Sequence, residues 1–302
     1  MTDEMPLTRA GTVDDLARRL GLILTPEGRA MLEAFAPEPD DVFIVTPAKC
    51  GTTWMQQIVH GLRSGGSMSF TNINDVVPWL GISQTDPAAA RVAQGGLRPH
   101  AFKSHAPLGE NPSGARYIVV LREPAAAAVS QYRFFSNAFL DAGRLDFDTF
   151  VRGFYLQQRE IHDHVLEVWP RRLDDDVRVF CYESMLADLS GTVDVVAEFI
   201  GVTLTAALRD VVVEEAGIDF MKAHESKFDD AQGTFELFRH RLALPPASSL
   251  SKVAPDEIAR PRPTVSDELQ RELAAAWQRD VTPATGLASY AEFRAAVDAR
   301  PR

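Results

Sequence analysis

Cysteine is scarce in this sequence: there are two in 302 residues, Cys50 and Cys181. Two thiols make no disulfide framework, so a core has to hold the fold, and a reducing cytoplasm is the expected compartment. Long apolar runs are also missing. Nothing approaches the ~18 consecutive apolar residues that a membrane-spanning helix needs, so no membrane partner is expected. The first twenty residues are acidic and polar, without the apolar stretch of a signal peptide. Positive charge is in deficit, with 31 Lys and Arg against 42 Asp and Glu and a net charge of −11. A surface of that sign repels nucleic acid and polyanionic glycans at long range. An anionic ligand then has to be held by a local cluster of basic groups and amides, which favours a small anionic cofactor. No Cys/His cluster has the spacing of a metal site; His162 and His164 lie two apart, on different helical faces. Internal repeats and low-complexity tracts are absent as well.

What is present is an ordinary globular composition, 45% hydrophobic and 24% charged, able to bury a full core. Val42 to Val45 is a short apolar run that reads as a buried strand. Pro47 and Gly51 turn the chain, and from Thr52 the pattern is helical, with Met55, Ile58, Val59 and Leu62 on one face. Strand, glycine turn and helix together aim backbone N–H groups at an anion. Lys49 adds a full positive charge, and Thr52 and Thr53 add hydroxyl donors. In the common P-loop the lysine follows several glycines, whereas Lys49 precedes a single one. Taken alone, the stretch is equally compatible with a plain β-turn-α corner.

Three further strands are expected, over Ala101–His105, Tyr117–Leu121 and Val177–Tyr182. Between them lie helical patterns, one opened by Pro124, then Asp146–Phe154 and Ile161–Trp169, and Val193–Ile200 follows the last strand. Phe147, Phe150 and Phe154 form an aromatic stripe that reads as core. Ile218–Lys222 reads as an apolar turn, residues 225–263 as a long loop, and residues 264–302 as C-terminal helices. Alternating strands and helices argue a single α/β domain over residues 1–302, with a central, mainly parallel sheet flanked by helices. In such sheets ligands bind beyond the carboxyl ends of the strands. Lys49, His105, Arg122 and Tyr182 fall at four such ends.

These residues carry a family resemblance. Thr46-Pro-Ala-Lys-Cys-Gly-Thr-Thr-Trp54 resembles the 5′-phosphosulfate loop of cytosolic-type sulfotransferases, which use 3′-phosphoadenosine-5′-phosphosulfate (PAPS) and release PAP. Arg98 with Phe102-Lys-Ser-His-Ala-Pro107 is similar to the family's second signature, whose histidine is the catalytic base. Tyr117 to Pro124, followed by Ser130-Gln-Tyr132, looks like the 3′-phosphate strand and helix. Tyr182-Glu183 matches the tyrosine-glutamate segment, and Phe220-Met-Lys222 with Lys227-Phe228-Asp229 resembles the stretch over the adenine. The matches run over about residues 40–230 and imply a P-loop-kinase-like sulfotransferase fold, in a bacterial-like member of the family.

The resemblance implies a sulfuryl transfer from PAPS to an acceptor hydroxyl, with His105, Lys49 and Lys103 catalytic. It also implies cofactor binding by Lys49, Cys50, Gly51, Thr52, Thr53, Trp54, Arg122, Ser130, Tyr182 and Met221, and no metal. Cys50 replaces a usual serine, and Ala216 and Ile218 replace a threonine and a stacking phenylalanine. The basic glycine-containing loop expected after Lys252 reads Ala254-Pro-Asp-Glu-Ile258, leaving Lys252, Arg260 or Arg262 to close over the nucleotide. Phe70, Val76, Val77, Trp79, Leu80, Phe134, Phe135 and Phe139 are expected to line an apolar acceptor pocket, or else to be core. A non-catalytic PAP-binding protein and a small-molecule kinase are the alternatives. Acceptor identity and oligomeric state are left open.

Overall fold

The computed structural model describes residues 7–23, 25–82, 86–231, 234–247, 249–253 and 262–300. Its centre is a parallel sheet of four strands: β1 (Val42–Val45), β2 (Ala101–Ser104), β3 (Arg116–Leu121) and β4 (Val177–Cys181). They run in the order β2-β1-β3-β4. All four residues of β1 are buried, because helices cover both faces; this is why the strand reads as a continuous apolar run rather than an alternation.

Alternate side chains of β1 serve the two faces. Phe43 sits in register between Phe102 and Tyr117, with ring centroids 5.4 and 6.0 Å away. That face packs on Ile161, Val165 and Val168 of the helix Glu160–Arg171 and on Trp277 and Phe293 near the C-terminus. Val42 and Ile44 serve the other face, against Met55, Ile58, Val59 and Leu62 of the helix Thr52–Ser64 and Val193 and Val196 of the helix Leu189–Ile200. The strand order reverses beside β1, since the chain goes first to β2 on one side and then to β3 on the other. A crevice therefore opens above the carboxyl end of β1, where parallel sheets take their ligands.

Three expectations need correction. Tyr182 does not end β4 but opens the helix Tyr182–Ala187, and Ile218–Lys222 is not a turn but most of a helix, Ile218–Ala223. The stretch expected as a loop over 225–263 contains a 3₁₀ turn, Glu225–Phe228, and a helix, Thr234–Phe238. Its Phe235, Phe238, Leu242, Leu244 and Leu250 are buried against Phe135, Phe139 and Phe150. Those apolar residues have no regular period, and long-range burial rather than local pattern orders them. Residues 254–261, Arg260 among them, lie outside the described residues, and Arg262 is exposed.

The aromatic stripe is core, as expected, with Phe150 and Phe154 stacked at 5.4 Å. The helix expected over 146–154 widens into a π-helical turn over Val151–Tyr155 and breaks at Arg159, whose φ is 53°. That break starts the helix Glu160–Arg171 and brings Glu160 to the rim of the crevice. Among the described residues, no helix is long and apolar enough to cross a membrane.

Candidate active site

The turn after β1 departs from ordinary backbone at Lys49 (φ 63°) and Gly51 (φ 111°), both left-handed. A Cβ on Gly51 would lie 3.0 Å from the Tyr182 ring, so the turn needs glycine for both conformation and space. The first bond of the following helix runs from the Met55 N–H to the Gly51 carbonyl at 3.0 Å. The Thr52, Thr53 and Trp54 N–H groups are thus the orphan donors of that helix. No acidic side chain occupies its first turn. The Thr46 and Thr52 hydroxyls are bonded to each other, and the Ala48 N–H donates to the Glu160 carboxylate at 2.6 Å.

Positive charge gathers above this turn. Lys49 Nζ lies 4.0 Å from the centre of the Phe134 ring, and Lys103 Nζ 5.0 Å from that of Trp79. Trp79 is held there because Pro78–Leu80 bonds along β2 at Lys103. Burial brings Lys49 and Lys103 down to about 7 each; the nearby Lys252 ammonium adds to the drop and the Asp230 carboxylate opposes it. Arg122 donates to the Lys49 carbonyl at 3.2 Å and lies 4.2 Å over the Tyr182 ring. Its buried Nε has no hydrogen-bond partner among the described residues.

His105 stands just past β2, with Nδ1 2.8 Å from the Thr46 carbonyl oxygen. A carbonyl only accepts, so Nδ1 carries the hydrogen and Nε2 keeps its lone pair. Burial, then the Lys103 charge, lowers this imidazole to about 3.

Lys49, Gly51, Thr52, Thr53, Trp54, Lys103, His105, Arg122, Ser130, Tyr182 and Met221 all line one cavity of about 620 Å³. The four strand ends therefore converge, as the topology requires. Cys50 is the exception among the expected site residues. Its side chain is fully buried in the core, which pushes the thiol up, and its N–H donates to the Pro47 carbonyl at 3.3 Å.

Of the eight expected acceptor-pocket residues, Trp79, Phe134, Phe135 and Phe139 line the cavity. Phe70 instead packs on His60 and Phe228, while Val76, Val77 and Leu80 belong to the packed interior. Their places are taken by Leu20, Ile23, Phe154, Phe235 and Phe238. Lys252, one of the residues expected to close over the nucleotide, lines the cavity, and so do Glu160 and Asp230, which sequence reasoning missed. No local signal marks them, because each arrives on an element whose placement depends on distant packing. Arg98 is not at the site. It pairs with Glu38 before the start of β2, where Arg98 and Arg91 fill the only cluster of possible metal ligands among the described residues, Glu38, Asp41 and His100.

Buried ammonium groups, an unpartnered guanidinium nitrogen and orphan helix N–H groups in one cavity fit an anionic co-substrate. Comparison with known proteins agrees with that chemistry. Residues 39–240 match the sulfotransferase domain family. The chain is 30% identical to Sulfotransferase 4A1 of Homo sapiens over 208 residues, 64% of this chain and 72% of that protein. It is 27% identical to the 3-alpha-hydroxysteroid sulfotransferase of Cavia porcellus over 209 residues, 65% and 71% of the two chains. In fold it is similar to retinol dehydratase solved with retinol and PAP (TM-score 0.61, 20% identity, 91% of this chain and 95% of that one). It is similar also to mouse sulfotransferase SULT7A1 solved with PAP (TM-score 0.59, 18% identity, 85% and 90%). The chain belongs to the sulfotransferase domain family, is related to the cytosolic sulfotransferases, and is a PAPS-dependent enzyme.

Proposed function

We propose that the acceptor is a hydroxyl of a small apolar or aromatic molecule and that His105 is the base that deprotonates it. The observation that carries this reading is the His105 tautomer: Nδ1–H is tied to the Thr46 carbonyl, which leaves Nε2 free beside a cavity with phenylalanine walls. PAPS supplies the sulfuryl group and leaves as PAP. His105 Nε2 takes the acceptor proton. In the free protein that nitrogen is a weak base, at about 3, partly because of the Lys103 charge. An anion held by Lys103 offsets that charge and raises the imidazole toward the working range, so the base strengthens when the site is filled.

Lys49 neutralises charge on the leaving oxygen, helped by the Gly51, Thr52 and Thr53 amides, and Lys103 steadies the transferring group. Arg122 and Ser130 hold the 3′-phosphate, while Trp54, Tyr182 and Met221 flank the nucleotide base. The Cys50 thiol faces the core and its N–H is bonded to the Pro47 carbonyl, so Cys50 shapes the turn that presents the Gly51, Thr52 and Thr53 amides. The apolar chamber of Phe134, Phe135, Phe139, Phe235 and Phe238 suits a phenol, a sterol-like alcohol or a lipid-like alcohol. The net charge of −11 disfavours heparin-like acceptors and nucleic acid, and a cytoplasmic location fits the cysteine usage. A panel of phenols, sterols and fatty alcohols incubated with radiolabelled PAPS tests the reading. Label transferred to at least one apolar alcohol is expected; label reaching only polar sugars would overturn it.

A further inference from the structure

Of the basic groups lining the cavity, Lys252 comes from the part of the chain expected as a loop, and its placement is built rather than incidental. Two adjacent aspartates fix it. Asp229 holds the backbone: its carboxylate accepts from the Leu250 N–H and the Ser249 hydroxyl, both at 2.8 Å. Asp229 also bridges to Ser251, and the Lys252 N–H donates to the Phe228 carbonyl at 3.4 Å. Asp230 holds the side chain: its carboxylate pairs with Lys252 Nζ at 2.6 Å and accepts from Asn74 Nδ2 at 2.8 Å. Asn74 in turn donates to Thr234 and accepts from Gln56. The lysine and its carboxylate are each largely buried, with 13% and 12% of the side chain exposed.

The pair lines the same cavity as Lys49, Lys103 and His105; both of its charges act on the two lysines, and the Lys252 charge acts on His105. Around the cavity stand four basic groups, Lys49, Lys103, Lys252 and Arg122, and two carboxylates, Asp230 and Glu160. With all of them charged that is an excess of about two positive charges in a poorly solvated space, relieved by a bound anion or by proton loss from Lys49 and Lys103. The relevant anion is the one nearest Lys49 and Lys103.

We propose that Lys252 is a third basic group at the sulfuryl-transfer end of the site, and that Asp230 is the positioning residue that holds it there. The proposal rests on the assignment of Lys49, Lys103 and His105 to that end. It differs from the role expected for Lys252 from sequence, which was a clamp on the 3′-phosphate. Asp230 has two opposed effects on an anionic ligand. Its charge repels the anion, while its bond to Lys252 keeps an ammonium in contact range. If positioning dominates, removing the carboxylate weakens anion binding; if Asp230 only repels, removing it strengthens binding.

Two nucleotides separate the ends of the site. Adenosine 5′-phosphosulfate carries the sulfonate and lacks the 3′-phosphate, and PAP carries the 3′-phosphate and lacks the sulfonate. Calorimetric titration of each into wild type, Lys252→Met, Lys252→Arg and Asp230→Asn reads out binding without turnover, with the melting temperature of every variant measured alongside. Loss of one charge-assisted contact corresponds to about tenfold in affinity. The expected result is that Lys252→Met loses about tenfold for adenosine 5′-phosphosulfate and less than about threefold for PAP. Lys252→Arg should restore most of the loss, and Asp230→Asn should bind adenosine 5′-phosphosulfate more weakly than wild type. The reverse pattern, with PAP weakened and adenosine 5′-phosphosulfate kept, would make Lys252 a 3′-phosphate clamp and overturn the proposal. Equal losses would put it on the shared 5′-phosphate, and no loss would leave it without a ligand; either overturns the proposal too. Tighter binding by Asp230→Asn would overturn the positioning role. Wild type that binds neither nucleotide would instead remove the site assignment beneath the proposal.

Discussion

Raising the pH above 7 should weaken PAP binding while it stabilises the free protein. Lys49 and Lys103 are both brought down from the usual lysine value to about 7 by burial, with Lys252 adding to the drop and Asp230 opposing it. Between that value and the ordinary one near 10.4, the folded free protein binds fewer protons than the unfolded chain. Stability in the absence of ligand therefore rises with pH through the window, and it falls as the pH drops back through about 7. PAP acts the other way, because an anion in the site favours the ammonium forms. If one lysine must be protonated in the complex, affinity falls by a factor of about 50 between pH 7 and pH 9, since it is half protonated at pH 7. Two independent lysines would give about 2,500, but Lys49 and Lys103 share one small cavity and titrate together, so the result should lie between these limits. Above pH 7 the phosphates of PAP, with a second pKa near 6, no longer titrate and do not confuse the reading. Calorimetry in two buffers of different ionisation heat measures both the affinity and the protons taken up. Constant affinity from pH 7 to 9, with no proton uptake, would refute the argument that these lysines are neutral when the site is empty.

Two further outcomes concern the framework of the site. Gly51→Ala forces a Cβ onto a φ of 111° and to 3.0 Å from the Tyr182 ring. It should cost about 1–2 kcal/mol or more in stability and most of the PAP affinity; unchanged chemical denaturation and PAP binding would contradict the geometry of the turn. Asp229→Ala removes the acceptor of the Leu250 N–H, Ser249 hydroxyl and Ala231 N–H bonds, and should cost about 2–3 kcal/mol. It should also expose the segment around Lys252 to amide hydrogen exchange, and native-like protection there would count against the stapled loop.

Much of this architecture was legible because its signals are local. β1, its glycine turn and the helix after it occupy consecutive residues, so periodicity and turn chemistry locate them together. The convergence of Lys49, His105, Arg122 and Tyr182 was legible for a topological reason: each follows a strand, and parallel strands end on one side. That the Cys50 thiol turns into the core was not legible, because a tight turn alternates the direction of its side chains in a way that spacing does not report. Residues 225–253 were illegible for a different reason. Their Phe235, Phe238, Leu242, Leu244 and Leu250 are buried against Phe135, Phe139 and Phe150, about a hundred residues away, and no period within the segment encodes that contact. The wall of the cavity was left open between pocket and core for the same cause: Phe70 and Phe235 look alike in sequence, and only packing sends one to His60 and the other to the cavity. Glu160 reaches the turn after β1 through the backbone break at Arg159, which carries no glycine or proline to announce it.

The central claim is that this cavity moves a sulfuryl group with His105 as the base. Its most direct test is transfer of radiolabel from PAPS to a phenol by wild type and by His105→Ala, with PAP affinity measured on the same preparations. The account predicts turnover by wild type, a loss of roughly 10²–10⁴-fold in His105→Ala, and nearly equal PAP affinity in both proteins. Near-normal turnover in His105→Ala with PAP still bound would contradict it.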